Sequence, residues 1–375
     1  MSALFSNVSQ LNWQQVVMWC IGGLLIYLAI RKDMEPTLLL PLGFGAILVN
    51  LPMSGAVTQV YDGIAEIGVI DVLFDAGIAN ELFPLLLFVG IGAMIDFEPL
   101  LTNPKLMIFC AAAQFGIFFT LSLAALFGFD LKDAASIAII GAADGPTSIF
   151  VANYFHSKYI GAIMVAAYSY MALVPVVQPP VIKLLTTKQE RRIRMVYQQR
   201  SVSKITKILF PIAITVITGI VSPRSVALIG FLMFGNLIRE CGVLDSLSET
   251  AQKVLANLVT LFLGITIATK MQAQYFLTAE TLLILGLGLV AFVFDTAGGV
   301  IFAKILNLFL PKDSKINPMI GAAGISAFPM SARVVHKLGR AEDPQNFLLM
   351  PAVGVNVSGQ IASVIAGGLI LNLLG

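Results

Sequence analysis

The chain is short of charge and of the residues from which most soluble catalytic and metal sites are built. Only 12% of its 375 residues are charged, and it has 3 cysteines and 2 histidines. The cysteines lie singly without CxxC spacing and the histidines make no metal spacing, which argues against a disulfide framework or a transition-metal site. No Walker-type GxxxxGK[ST], HExxH or Rossmann glycine run occurs, so no ATP or nicotinamide site is indicated. The formal net charge of +2 gives no reason to expect a nucleic-acid partner.

Apolar residues are correspondingly abundant. They make up 58% of the chain, and the mean hydropathy is +0.90, far more apolar surface than a soluble core can hide. Runs of roughly 17 to 25 apolar residues recur, each long enough as a helix to cross about 30 Å of hydrocarbon. Backbone polar groups in lipid must pair internally, which favours helices. We therefore predict an all-α polytopic membrane protein, with its first apolar run kept as a helix and not removed as a signal peptide.

The apolar runs form two sets separated by a basic segment. The first set covers 14–30, 36–52, 81–97, 105–127, 133–155 and 159–185, and the second covers 204–221, 224–239, 253–271, 279–309, 316–335 and 346–374. The segment between them, "TTKQERRIRMVYQQRSVSK", is the most polar and basic in the chain, so the positive-inside bias places it in the cytoplasm. The predicted organisation is a first membrane half over 1–187, a cytoplasmic linker over 188–203 and a second half over 204–375.

The two halves resemble each other at matching positions. The three matched pairs are 42–51 with 229–238, 86–95 with 260–269, and 139–148 with 319–328. In the last and strongest pair, "IIGAADGPTS" matches "MIGAAGISAF". If the basic stretches are all cytoplasmic, the run carrying the first sequence enters and leaves the membrane on the outer side, and its counterpart enters and leaves on the inner side. The predicted fold is therefore a transporter-like pair of inverted-topology repeats with discontinuous, re-entrant helices, whose breaks build the site near the midplane. We call residues 139–148 the first break and residues 316–335 the second break.

Asp144 interrupts the apolar sequence of the first break and is followed directly by a Gly-Pro pair. A carboxylate at bilayer depth costs about 2.5 to 3.5 kcal/mol on insertion scales, so it normally faces protein or water and has a task. Thr147 and Ser148 add hydroxyl oxygens, and such hard ligands suit an alkali cation that has lost its water. The sequence therefore indicates a cation site. The alternative is that Asp144 pairs with Arg333 or Lys270 and only locks helices together.

The second break, "INPMIGAAGISAFPMSARVV", has a similar makeup without an acid. Asn317 and Ser326 supply neutral oxygens, so this half can complete a site without adding charge. The alternative is that the small residues only permit close helix packing. Arg333 ends the segment as a snorkelling residue, an ion pair for Asp144 or an anchor for an anionic substrate.

Further polar residues stand in the membrane runs. Tyr168 and Tyr170 follow the first break and are proton donors, cation ligands or interfacial anchors. The last run carries several polar side chains, of which Asn356 is the favoured ligand. The simplest reading of the other two intramembrane charges, Asp295 and Lys270, is that they pair with each other.

The stretches "GAADGPTSIF", "INPMIGAAGISAFPMSARVV" and "NVSGQIASVIAGG", in this order, resemble the beta subunits of sodium-translocating, biotin-dependent decarboxylases over nearly the entire chain. These pumps act on oxaloacetate, glutaconyl-CoA, methylmalonyl-CoA or malonate. The resemblance implies the following set of functional residues: Asp144, Tyr170, Asn317, Gly321, Ser326, Arg333 and Asn356. The chain is similar in length to the shorter members, which favours a CoA ester over oxaloacetate.

The resemblance also implies an activity. The subunit is expected to decarboxylate carboxybiotin held by a partner, to consume an external proton and to export Na⁺, and our hypothesis for the motion is alternating access. Asp144, Tyr170 and Arg333 would be catalytic, and Arg333 would bind carboxybiotin. The expected Na⁺ ligands are Asp144, Asn317, Gly321, Ser326 and Asn356, which the resemblance implies, together with the Thr147 and Ser148 hydroxyls of the first break.

Biotin and Na⁺ are the implied cofactors. The implied assembly is a homotrimer in the inner (plasma) membrane of a bacterium or archaeon, with a carboxyltransferase alpha subunit, a biotin carrier and a small membrane anchor subunit. The rival hypotheses are a stand-alone Na⁺/H⁺ antiporter or Na⁺-coupled carboxylate transporter, and a structural anchor for a complex.

Overall fold

A computed structural model describes residues 11–32, 34–61, 63–195, 201–311 and 314–375. Within these ranges, seven helices are long and apolar enough to cross a membrane. The prediction of a helical polytopic membrane protein is thereby confirmed. One small antiparallel hairpin departs from it, in which Val60 of one strand pairs with Ala65 of the other.

The first half of the chain begins with two packed helices, α1 (Trp13–Lys32) and α2 (Pro36–Val49), followed by the hairpin strands β1 (Gln59–Tyr61) and β2 (Ile64–Glu66). The remaining helices of this half are α3 (Val69–Phe74), α4 (Leu82–Met94), α5 (Glu98–Thr102), α6 (Met107–Ala113), α7 (Phe115–Leu126), α8 (Leu131–Ala138), α9 (Gly145–Tyr154) and α10 (Ile160–Leu185). A π-helical turn, Asp75–Ala79, continues α3, and this combined helix meets α4 at a bend of 61°. The predicted run 81–97 is therefore part of a longer, bent segment.

The second half begins after a short helix in the linker, α11 (Lys188–Arg191). Its helices are α12 (Lys204–Val221), α13 (Val226–Glu240), α14 (Asp245–Glu249), α15 (Ala256–Ile267), α16 (Ala273–Phe276), α17 (Ala279–Phe309), α18 (Met330–Glu342) and α19 (Leu349–Leu374). Side-chain caps begin several of them, as at α17, where Thr278 Oγ1 accepts a hydrogen bond from Thr281 N at 3.2 Å.

Neither apolar run that contains a break forms one continuous helix. In the first, α8 passes into a short 3₁₀ turn, Ile139–Ala142, before the backbone leaves helical geometry. In the second, a seven-residue 3₁₀ helix, Pro318–Gly324, is followed by non-helical residues before α18 begins. Runs of 3₁₀ helix this long are uncommon and often mark a functional or strained segment. The breaks expected from glycine, proline and the polar residues are present at both places.

The long helix α17 packs against both breaks. At the second, Gly299 and Gly321 cross so closely that a Cβ added to either would lie 2.0 Å from the carbonyl oxygen of the other. At the first, Gly141 packs on Ala291, and an added Cβ would lie 2.7 Å from the alanine Cβ. Glycine is required at these crossings because no side chain fits between the backbones. This helix therefore forms a shared wall behind the two breaks.

Residues of the linker pack onto the second half. Arg191 is buried and forms an ion pair with Glu342 at 2.7 Å, and Arg194 pairs with Asp343 at 2.7 Å. Lys304 Nζ donates to the Leu185 carbonyl at 2.9 Å. Residues 196–200 of the predicted linker lie outside the described residues. The described part of the linker is attached to the end of α18 by its two arginines, and to α17 by Glu190, which forms an ion pair with Lys304 at 3.3 Å.

Candidate ion-binding site

The backbone of the first break places Asp144 at the start of a helix. Ala143 has φ 51° and ψ 44°, a left-handed conformation that is costly for a residue with a Cβ and is typical of functional sites. Asp144 is extended and acts as the N-cap of α9, since its side chain accepts from Thr147 N at 3.3 Å. The positive end of the helix dipole and the free N–H groups of the first turn favour a carboxylate here.

Three hydroxyl groups converge on one oxygen of this carboxyl group. Thr147 Oγ1 lies 2.7 Å from Asp144 Oδ2, Ser326 Oγ lies at 3.0 Å and Ser363 Oγ at 2.7 Å. Asp144 is 4% exposed, while Thr147, Ser326 and Ser363 are between 0 and 1% exposed. The three hydroxyls come from α9, the second break and α19, so the site joins three elements distant in the sequence. We call Asp144, Thr147, Ser326 and Ser363 the oxygen cluster.

The oxygen cluster has the chemistry of an alkali-cation site. All its side-chain ligands are oxygens, and each hydroxyl has one hydrogen but two lone pairs, so it can bond to the carboxylate or turn a lone pair to a cation. Among the described residues, no group of three or more His, Cys, Asp or Glu side chains is placed to hold a metal ion. The only charge in the cluster is therefore the single carboxylate, which suits a monovalent cation of hard character.

The two breaks meet at this cluster. Ser326 N donates to the Ala142 carbonyl at 2.9 Å, which joins the backbones of the breaks directly. Asn356 Nδ2 donates to the Ile325 carbonyl at 2.7 Å, beside Ser326. In the described part of the chain, the side-chain oxygens of Asn356 and Gln360 are buried without a hydrogen-bond donor. Two unused acceptors near an oxygen cluster are a feature that a bound cation would satisfy.

Ser148 contacts the ion-binding site through the backbone of Asp144. Its hydroxyl donates to the main-chain carbonyl of Asp144 at 2.8 Å and not to the carboxylate.

Tyr168 lies closer to this helix start than Tyr170 does. Its ring packs on Gly145, where an added Cβ would lie 2.4 Å from the ring, and its hydroxyl has no partner among the described residues. Tyr170 instead donates to the Leu285 carbonyl and packs on Gly288 of α17. Tyr170 therefore has no hydrogen bond to Asp144.

Asn317 and Gly321, which the resemblance implies as Na⁺ ligands, are not brought into the cluster. The Asn317 side chain donates to the carbonyls of Arg191 and Ile193 at 3.0 and 2.8 Å and accepts from Met319 N at 3.0 Å. The seven-residue 3₁₀ helix, at about 2 Å per residue, separates Asn317 from the Ser326 end of the break by roughly 14 Å. Gly321 lies against Gly299, as described above. Its carbonyl faces a helix backbone and not the carboxylate.

Arg333 is exposed near the start of α18, and no ion pair involves it in the described ranges. The alternative in which Asp144 pairs with Arg333 or Lys270 is thus not seen. The expected pairing of Asp295 with Lys270 is wrong. Lys270 Nζ lies 4.3 Å from the centre of the Phe74 ring, and Asp295 accepts from Ile117 N at 3.1 Å. The Phe74 ring attracts the ammonium group by a cation–π interaction, which stabilises the charged lysine without a carboxylate partner.

Sequence reasoning gave Ser363 too little weight. It lies two helical turns beyond Asn356, and i, i+3, i+4 and i+7 share one helix face.

A second network was not predicted, although it crosses the same region. Gln178 of α10 donates to the Ala322 carbonyl at 2.8 Å and accepts from Ser331 Oγ at 2.9 Å. It holds the second break against α10.

Comparison with known proteins gives the broken helices and the oxygen cluster a context. The family described as Na⁺-transporting oxaloacetate decarboxylase beta subunit matches residues 14–374. The chain belongs to this family. It is 48% identical over 364 residues to the glutaconyl-CoA decarboxylase subunit beta of Acidaminococcus fermentans, covering 97% of this chain and 94% of the relative.

Other relatives act on different substrates. The methylmalonyl-CoA decarboxylase subunit beta of Propionigenium modestum is 46% identical, with 97% of this chain and 96% of the relative covered. A probable oxaloacetate decarboxylase beta chain of Vibrio cholerae is 43% identical, with 96% and 95% covered. The resemblance noted from the sequence is confirmed. The chain is a multi-pass membrane subunit of a sodium-transporting decarboxylase.

Proposed function

We propose that this beta subunit binds Na⁺ at the oxygen cluster, decarboxylates carboxybiotin presented by a partner subunit, and couples the two to export Na⁺. The observation that carries the proposal is the convergence of Thr147, Ser326 and Ser363 on the Asp144 carboxylate. Such an arrangement binds a dehydrated monovalent cation through oxygen atoms alone. Asn356, through its free side-chain oxygen, and Ser148, through the backbone, support the same site.

The chemical step supplies the energy. Moving one charge against about 100 mV costs about 2.3 kcal/mol, and the sequence carries no nucleotide-binding motif that would provide it. Loss of CO₂ from carboxybiotin, with consumption of a proton from outside, fills this need. Arg333 is exposed and cationic, so it is available to bind the carboxylate of carboxybiotin brought by another protein.

The proposed motion is alternating access between two inverted-topology repeats, 1–187 and 204–375. The hydrogen bond between Ser326 N and the Ala142 carbonyl supports it, because it links the two matched breaks at the ion site. Sliding of one break relative to the other would open the cluster to one side and then the other. The proton that displaces the ion would be carried by Asp144 itself or by Tyr170, which is hydrogen-bonded to α17 beside the first break.

The relatives are named as beta subunits, which supports an assembly with further subunits, and the proposed composition is the one that the resemblance implies. A carboxyltransferase alpha subunit would select the acyl substrate, and a biotin carrier would deliver its carboxyl group. A small membrane subunit would anchor the complex, and three copies of the chain would form its core in the inner membrane.

The decisive variant is Asp144→Asn. It keeps the size of the side chain and its cap to Thr147, but removes the charge that holds the cation. In vesicles containing the complete complex, we expect it to abolish both radiolabelled Na⁺ uptake and Na⁺-dependent decarboxylation. Avidin, which blocks biotin, should stop uptake by the unmodified complex.

The matched control is Asp133→Asn. Asp133 is 9% exposed and accepts from Ser157 Oγ at 2.6 Å, apart from the oxygen cluster. This variant should retain Na⁺ uptake. Full uptake by Asp144→Asn, or uptake unaffected by avidin, would refute the proposed function.

A further inference from the structure

Asp295 is a deeply buried carboxyl group that the oxygen cluster does not use. It is 0% exposed and lies near the middle of the 31-residue helix α17. The preceding residues of the helix separate it from the helix start by about 24 Å, at 1.5 Å per residue. An ionisable group at this depth is expensive and by default has a function.

The two oxygens of Asp295 have unequal surroundings. Oδ1 accepts from Ile117 N at 3.1 Å, an amide in the first turn of α7, which begins just after the helix is interrupted at Gln114. Oδ2 is buried and has no hydrogen-bond partner among the described residues. It faces Gly141 of the first break, where an added Cβ would lie 2.6 Å from it. The carboxyl group therefore bridges a helix interruption on one side and the first break on the other.

No cation balances this group in the described part of the chain. The titratable side chains on the elements packed around α17 are Cys110, Lys132, Asp133, Tyr168, Tyr170 and Lys183, and Asp144 lies just beyond the 3₁₀ turn of the first break. No hydrogen bond or ion pair joins any of these described side chains to Asp295. A buried carboxylate with one oxygen unpaired is far more costly than the neutral acid, and such groups take up a proton instead of remaining charged.

We propose that Asp295 is a second proton-binding site, which in this conformation carries its proton on Oδ2 beside the first break. The site stands on the contacts of Asp295 alone. Its role rests on the proposed function, in which it gives the consumed proton a binding place separate from that of Na⁺. Oδ1 keeps its hydrogen bond from Ile117 N in either protonation state, so the helix interruption stays fixed while Oδ2 gains or loses the proton.

Infrared spectroscopy of the full-length chain tests the proposal. Spectra of protein made with ordinary and with ¹³C-labelled aspartate are subtracted, which isolates the C=O band of protonated aspartic acid. The unmodified chain and the control Asp133→Asn should show this band at neutral pH. Asp295→Asn, which keeps an acceptor oxygen for Ile117 N, should lose it. A band of unchanged intensity in Asp295→Asn, or no band in the unmodified chain, would overturn the proposal.

A second variant covers the case in which Asp295→Asn does not fold. Asp144→Asn removes the carboxyl group of the oxygen cluster and leaves Asp295 in place. Its spectrum must keep the aspartic-acid band, and loss of the band there would assign the proton to Asp144 and reject the inference. The measurement needs no turnover, so its result is independent of whether the complex pumps Na⁺.

Discussion

Ser363 is the side chain through which the last helix reaches the ion site. Its hydroxyl lies 2.7 Å from Asp144 Oδ2 and 3.1 Å from Ser326 Oγ, so it touches ligands from both breaks. Removing one hydrogen bond to a charged group costs about 1.5 to 3 kcal/mol. In Ser363→Ala, we expect the Na⁺ concentration for half-maximal decarboxylation to rise at least about tenfold, since 1.4 kcal/mol corresponds to a factor of ten.

Ser358 provides the matched control for that substitution. It is also on α19 and fully buried, but its hydroxyl donates to the Val355 carbonyl of its own helix at 2.7 Å. Ser358→Ala should leave the Na⁺ requirement unchanged. An equal shift in both variants would mean that the effect comes from helix packing and not from loss of an ion ligand.

Residue type alone points to some side chains that lie together at the oxygen cluster and to others that lie elsewhere in the structure. Asp144 could be identified because a carboxylate inside an apolar run has few structural explanations. Asn317 has the same kind of side chain as a ligand, yet its amide nitrogen donates to the linker backbone and its oxygen accepts from Met319 N. That use depends on the fold of residues 191–193, which no local pattern near Asn317 indicates. Ser363 was given less weight than Asn356 because a serine hydroxyl in a membrane helix often donates to a carbonyl of its own helix, as Ser358 does to Val355.

At the level of elements, the crossing of α17 with the second break limits what the sequence can tolerate. An added Cβ at Gly299 would lie 2.0 Å from the Gly321 carbonyl oxygen, a backbone atom that cannot rotate away. Overpacking of this kind typically costs 1 to 3 kcal/mol. We expect Gly299→Ala to lower the melting temperature of the purified protein and to reduce Na⁺ uptake, because the break must move or distort.

The same helix offers the control. Gly286 has nothing within 4 Å of an added Cβ, so Gly286→Ala meets open space. Alanine favours a helix by up to about 1 kcal/mol over glycine, so this variant should be as stable as the parent or slightly more stable. Similar destabilisation by both substitutions would contradict the role assigned to the Gly299 crossing.

The sequence predicted most elements because apolar runs of membrane length leave few alternatives to a helix. Both breaks were predicted from helix-breaking residues together with polar ones. The 61° bend between the combined helix 69–79 and α4 was not predicted, because no proline or long polar run separates the two helices. Two residues at that junction, Asn80 and Glu81, carry the bend, and Glu81 has a left-handed φ of 66°. Short polar interruptions of this kind also occur in ordinary helices, so they do not distinguish a bend.

At the scale of the whole molecule, the linker ties the two halves together on one face. The Arg191 carbonyl accepts from Asn317 Nδ2 at 3.0 Å and from Asn346 Nδ2 at 2.9 Å, while its guanidinium pairs with Glu342. The start of the second break is thus bonded directly to the segment that follows the first half. Any movement of the second break must either carry this part of the linker along or break these bonds.

The strength of the linker attachment should depend on pH. Hydrogen bonding from Arg191 holds the pKa of Glu342 below its usual value of 4.5, and Arg194 does the same for Asp343, whose usual value is 3.8. A carboxyl group whose pKa is lowered by folding stabilises the folded contact at pH values above its unfolded-state pKa. This stabilisation is lost as the pH falls through the folded-state pKa. Amide hydrogen exchange of residues 187–195, corrected for its intrinsic pH dependence, should therefore be constant from neutral pH to about 5 and rise below the lowered values.

The double variant Glu342→Gln with Asp343→Asn isolates the cause. It has no titrating partner for the two arginines, so exchange should be fast at neutral pH and show no acid-induced step. Glu249→Gln is the matched control, since Glu249, the last residue of α14, forms an exposed pair with Lys253 at 2.5 Å. Glu249→Gln should retain the acid-induced rise in amide hydrogen exchange. An unaltered step in the double variant would mean that acid loosens the linker through other groups, and the two ion pairs could not then be what holds the linker to the second half.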